Sequence, residues 1–214
     1  ADLIASEAGA MQYDDPGSQY DALQTADWMI TISDNTATNM IVDRLGGIQV
    51  LNQRFKDWGL EHTQMNQPLP DLEGTNVMSP KDLAVLMAKV SQGDLLTAHS
   101  RDRALEILRH TVTDTLLPQG LERGAKIAHK TGDIGMAVGD VGLIDMPNGQ
   151  RYVAGIVVKR PHNDPRAQNL IRAVSKLTYK VFSERAVPRA VSERASSEAD
   201  SQPSQIPSPP SSDP

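Results

Sequence analysis

Apolar and polar positions follow two different rhythms along this chain. Ile48, Leu51, Phe55 and Trp58 follow a Gly46-Gly47 break at helical spacing, and Leu83, Leu86, Met87 and Val90 fall at i, i+3, i+4 and i+7. Each set makes one apolar face of an amphipathic helix. The second helix has a legible start: Ser79 can cap it, Pro80 suits its first turn, and Asp82 faces the positive end of its dipole. A third helix is predicted from about Pro165 to Phe182, with Leu170, Val174, Leu177 and Val181 along one side. Between these helices the texture changes. β-Branched residues and glycines dominate Lys126 to Gly132, Val138 to Asp145 and Arg151 to Lys159, and Pro147-Asn148-Gly149 separates the last two runs as a hairpin turn. Helices first, then an antiparallel meander, then a closing helix predict an α/β sandwich of sheet and helices.

Composition bounds this picture. The chain has 214 residues, 39% of them hydrophobic, enough for one sizeable core. From Arg185 onward Ser, Pro, Ala and charge take over, so residues 1–183 are expected to form the domain and 184–214 a disordered tail. The net charge of -6, from 21 basic and 27 acidic residues mixed along the sequence, leaves no basic stripe for nucleic acid. Cysteine is absent, which excludes disulfides and thiolate metal sites and says nothing about compartment. The longest apolar runs, such as Gly155 to Val158, are too short to span a bilayer, and the first residues do not read as a leader.

Two tripeptides carry candidate chemistry: Ser33-Asp34-Asn35 ahead of a helical run, and Lys130-Thr131-Gly132 ending a strand-like one. Each has a plain structural reading. Ser, Asp and Asn all cap helices such as Thr36 to Leu45, and a lysine near a glycine is an ordinary solvated strand end. Their conjunction, in this order, changes the weighting. The five histidines, His62, His99, His110, His129 and His162, form no H-x-x-x-H or H-E-x-x-H pattern, so no metal and no cofactor are expected.

With these motifs the chain resembles the class A β-lactamases and the related penicillin-binding D,D-peptidases, which share S-x-x-K, S-D-N and K-T-G. The likeness extends through Met29 to Asn39 with the following Gly46-Gly47, and through His129 to Gly135. It implies a β-lactamase/transpeptidase-like fold: an antiparallel sheet flanked by helices, with a helical subdomain. It also implies an acyl-enzyme route, which needs a nucleophile, a base, oxyanion donors and a proton for the leaving nitrogen. By that resemblance Ser33 relays the proton, Asn35 holds the substrate's side-chain amide, and Lys130 supplies positive charge to Ser33 and the substrate carboxylate. Thr131 hydrogen-bonds the same carboxylate, Gly132 belongs to the substrate-binding strand end, and the N–H of Asp133 is half of the oxyanion hole.

Two departures stand out. No serine has a lysine three positions on, and the resemblance puts that motif roughly sixty residues ahead of S-D-N, while only 32 residues precede Ser33. The nucleophile, its helix and an N-terminal strand are therefore expected upstream of Ala1, leaving residues 1–183 inactive alone, with an unpaired sheet edge and marginal stability. The second departure is Leu69, which falls where the resemblance puts the water-activating glutamate. Asp71 and Glu73 could substitute, but read as solvated loop carboxylates. The two motifs lie 97 residues apart, and a shortened loop between Gln67 and Ser79 would accommodate that.

Without a deacylating base a penicilloyl enzyme persists, so the expectation is a penicillin-binding, peptidase-like serine hydrolase acting on β-lactams or D-Ala-D-Ala peptidoglycan stems. The alternatives are a true class A β-lactamase using another base and a non-catalytic domain. A monomer in the periplasm or another extracytoplasmic space is expected from the same resemblance. His129 reads as structural, on the strand face opposite Ala128 and Lys130. Lys159 and Arg160 read as a solvated strand end, with carboxylate binding as the other possibility. Asp140, on the strand where a site cation would be sought, offers none.

Overall fold

In a computed structural model of the chain, residues 3–185 are described; the expected tail at 184–214 lies almost wholly outside them. Five helices come first: α1 (Ala22–Thr31), α2 (Asn35–Arg44), α3 (Ile48–Asp57), α4 (Pro80–Gln92) and α5 (Ala98–Arg109). The strands β1 (Lys126–Asp133), β2 (Ala137–Asp145) and β3 (Arg151–Lys159) follow, and α6 (Arg166–Glu184) closes the chain. The sheet is an antiparallel meander in the order β1-β2-β3. Its hairpin turns at Pro147-Asn148-Gly149, where Met146 N–H donates to the Gln150 carbonyl at 2.8 Å.

Local chemistry accounts for the helix starts. Asp21, Asp34, Ser79 and Thr97 each cap a helix by accepting a backbone N–H with the side chain. Asp82 does more than complement a dipole: buried, it accepts His62 N–H at 2.7 Å and Thr63 Oγ1 at 2.8 Å, tying the α3–α4 connection to α4. The predicted faces of α3 and α4 are the half-buried to buried ones. Helices α1 and α5 have no counterpart in the apolar rhythm, because only a few of their side chains reach the interior; in α5 Leu105 alone is fully buried.

Two cores sandwich the sheet. On one face Ala128, Val141 and Leu143 meet Met87 of α4 and Leu105 of α5. On the other, Val138 and Ile144 meet α6 through Ala167, Ile171 and Tyr179, with Tyr152 stacked on Phe182 at 4.5 Å between ring centroids. The face of α6 corrects the sequence reading. Ala167, Ile171, Ser175 and Tyr179 point at the sheet, whereas Leu170, Val174, Leu177 and Val181 are exposed, Leu177 at 63%. Ser175 could join the buried side because its hydroxyl donates to the Leu117 carbonyl at 2.7 Å, which removes the cost of burying it.

Candidate active site

The break between α1 and α2 presents the first motif. Ser33 sits at φ +57, an uncommon conformation for a non-glycine residue that aims its hydroxyl out of the turn. Asp34 holds it there. Its fully buried carboxylate accepts Ala10 N–H at 2.7 Å, Met11 N–H at 2.9 Å and Ala37 N–H at 2.9 Å. Gly9 permits this approach, since a Cβ on it would stand 2.2 Å from Asp34 Cγ. Asn35 donates Nδ2 to the Ser6 carbonyl at 2.7 Å, leaving its Oδ1 as the acceptor.

The second motif arrives from β1. Lys130 extends its ammonium to Ser33 Oγ at 2.5 Å and to the Thr131 carbonyl at 2.7 Å, joining groups 97 residues apart in sequence. Burial pushes the Lys130 ammonium down to about 8, and the charge of Asp140 acts in the opposite direction. Desolvation thus wins over the nearby anion. Thr131 and Asp133 follow on the same strand, and Gly132 between them is exposed with open space at its Cβ position.

Behind β1, His129 is buried with Asp140, its Nδ1 3.1 Å from Oδ1. Asp140 also accepts Leu117 N–H at 3.1 Å, and Thr111 Oγ1 donates to the His129 carbonyl at 2.6 Å. Asp140 is therefore a satisfied interior carboxylate. Arg160 departs from both earlier readings: it is buried and paired with Asp133 at 2.5 Å, and so is neither a solvated strand end nor a free carboxylate binder. Lys159 is exposed.

The loop after α3 settles the two alternative carboxylates in different ways. Asp71 is buried and accepts from Gln67 Nε2, Thr75 N–H, Thr75 Oγ1 and Asn76 N–H at 2.5 to 3.0 Å. Burial alone would raise its carboxyl, but these donors hold it below the usual carboxylate value. It is a loop organiser, not the solvated group expected. Glu73 is exposed. Leu69 is held by a residue that sequence reasoning overlooked. Asn39, one turn into α2, donates Nδ2 to the Leu69 carbonyl at 2.8 Å and accepts Leu69 N–H at 2.9 Å. The available signal was an asparagine on the inner face of a capped helix, where only a polar partner would justify burial. Among the described residues no group of three His, Asp or Glu side chains converges as metal ligands would.

Comparison with known proteins gives the family and the fold. The profile of the beta-lactamase enzyme family matches residues 1–182. Beta-lactamase AER-1 of Aeromonas hydrophila is 32% identical over 148 residues, covering 65% of this chain and 49% of that protein. A beta-lactamase of Bacillus licheniformis is 26% identical over 168 residues, covering 74% and 55%. The chain thus spans about half the length of the curated relatives it matches. Among solved structures, a leucine-to-glutamate mutant of PBP-A, in an acyl-enzyme complex with penicillin G, superimposes with a TM-score of 0.85 at 64% identity. That match covers 86% of this chain and 70% of that one. A reconstructed ancestral class A beta-lactamase of Gram-negative bacteria shares the fold, with a TM-score of 0.71 at 24% identity over 78% of this chain and 67% of its own. The chain belongs to the beta-lactamase enzyme family, and within it is similar both to class A beta-lactamases and to PBP-A.

Proposed function

We propose that the whole protein is a penicillin-recognising serine hydrolase of peptidase-like character, which acylates on β-lactams or D-Ala-D-Ala peptidoglycan ends and releases the β-lactam product slowly. The observation that carries this reading is the Lys130–Ser33 contact at 2.5 Å. A serine hydroxyl beside a lysine ammonium can relay a proton to a leaving nitrogen while the ammonium keeps its charge and holds a substrate carboxylate. Asn35 keeps an acceptor for a substrate amide, Thr131 adds a hydroxyl donor, and Asp133 N–H at the strand end serves as an oxyanion donor. The nucleophile comes from an S-x-x-K segment outside residues 1–214, because no such pair occurs within them. The reaction belongs in an extracytoplasmic compartment, where peptidoglycan is found.

Slow release rests on Leu69. Its backbone is fixed by Asn39, its side chain cannot activate water, and the nearby Asp71 has its acceptor capacity committed to four donors. Acylation itself is supported by PBP-A, a leucine-to-glutamate mutant of which forms an acyl-enzyme complex with penicillin G. Fluorescent penicillin separates the readings. The full-length protein should label covalently, whereas residues 1–214 alone should not. Labelling of 1–214 alone would overturn the assignment of the nucleophile, and failure of the full-length protein to label would favour a non-catalytic domain.

A further inference from the structure

Asp133 places a carboxylate, 43% exposed, at the end of β1 that carries Lys130 and Thr131. Left alone, that charge would oppose a substrate carboxylate arriving at the same strand end. It is not left alone. Arg160, the residue after β3, is buried and donates Nη2 to Asp133 Oδ1 at 2.5 Å. Its Nε donates to the Gly135 carbonyl at 2.9 Å, and its backbone N–H donates to the Met136 carbonyl at 2.8 Å. Asp133 Oδ1 also accepts Gly135 N–H at 2.8 Å, and Asn163 N–H reaches the Gly135 carbonyl at 2.9 Å. Gly135 adopts φ +79, and a Cβ there would stand 2.6 Å from His162 Nε2. Residues 133–136 are thus clamped to residues 160–163 by one guanidinium together with two backbone hydrogen bonds.

The charges around this clamp are divided up. Asp164 pairs with Arg166 at 2.6 Å, and Asp140 is buried against His129. Arg160 is therefore the cation that answers Asp133. A guanidinium keeps its charge across the working pH range. We propose that Arg160 is a positioning residue that sets substrate charge preference: by neutralising Asp133 and fixing the 133–136 turn, it lets the end of β1 accept a carboxylate-bearing substrate. This rests on the penicillin-recognising reading above. Asp133 and Thr131 share one face of β1 about 7 Å apart along the strand. At that range, in a partly solvated cleft, one uncompensated charge changes association by roughly three- to tenfold.

The test is a charge series in the full-length protein: wild type, R160Q, D133N and the R160Q/D133N double variant. For each, the second-order acylation rate constant is measured with a penicillin and with its methyl ester, and the ratio of the two constants is compared. Relative to wild type the ratio should fall about three- to tenfold in R160Q, return to within about twofold in the double variant, and rise in D133N; added salt should compress the spread. A ratio flat across the series overturns the proposal, even where absolute rates fall, because a merely structural loss acts on both substrates alike. D133N alters a part-exposed residue, so its ratio decides the matter if R160Q does not fold. If the wild type forms no adduct, the penicillin-recognising reading falls and this inference falls with it.

Discussion

Lys130 keeps its ammonium in surroundings that disfavour it, and this has a kinetic signature. The group titrates near 8 because burial outweighs the attraction of Asp140. If it must be charged to hold the substrate carboxylate, the acylation constant falls as pH rises through about 8, by roughly tenfold one unit above. Asp140→Asn removes the opposing attraction, so the alkaline limb should move to lower pH; stopped-flow acylation across pH 6 to about 10 checks this, and an unmoved limb would assign it to another group. At Leu69 the expected change is in release. Leu69→Glu places a carboxylate on a backbone held by Asn39, and should speed deacylation on the order of a hundredfold while acylation changes little, as followed by decay of the penicilloyl adduct. Residue types at the two tripeptides were enough to anticipate that Ser33 and Lys130 meet. Neither motif could disclose what fixes them. Asp34 works through N–H groups at Ala10 and Met11, Asp71 through its own loop, and Arg160 through a carboxylate 27 residues away. Such pairings follow from tertiary proximity and leave no periodic trace in the sequence.

Elements that bury a continuous stripe were legible, and elements that bury little were not. The faces of α3 and α4 follow from a period of 3.6, and the three strands, to within one residue at each end, from β-branched and glycine-containing runs with a turn between the last two. Helix α1 and helix α5 escape because few of their side chains are buried. Helix α6 is the instructive case, since it carries two rows. The row with the larger aliphatic residues, Leu170, Val174, Leu177 and Val181, faces outward, and the mixed row of Ala167, Ile171, Ser175 and Tyr179 faces the sheet. Hydrophobicity alone picks the wrong row, because a hydroxyl with a partner at the Leu117 carbonyl can be buried as readily as an aliphatic side chain. The two rows should respond differently to substitution. Ile171→Ala should lower the stability of residues 1–214 by about 2 to 5 kcal/mol, and Leu177→Ser by less than about 0.5 kcal/mol, in urea titrations of the two variants. Equal losses would contradict this orientation of α6.

At the scale of the molecule, the described residues form a sheet with two unpaired edges and a helix whose large aliphatic row is exposed. An open nine-residue edge at β3 and an apolar stripe both favour association with other chains. Residues 1–214 alone should therefore unfold at modest temperature and self-associate as concentration rises, in calorimetry and light scattering; a monomer with a high, cooperative transition would contradict this. The sheet and the adjoining helices nevertheless bring Ser33, Asn35, Lys130, Thr131 and Asp133 into one region, in a chain that belongs to the beta-lactamase enzyme family. The central claim is that this region serves a penicillin-capturing enzyme. Intact-mass spectrometry of the full-length protein after a pulse of penicillin and a chase tests it most directly. The account predicts one penicilloyl adduct per chain that outlasts the chase and is lost quickly only in Leu69→Glu. Rapid turnover by the wild type without an accumulating adduct, or the absence of any adduct, would contradict it.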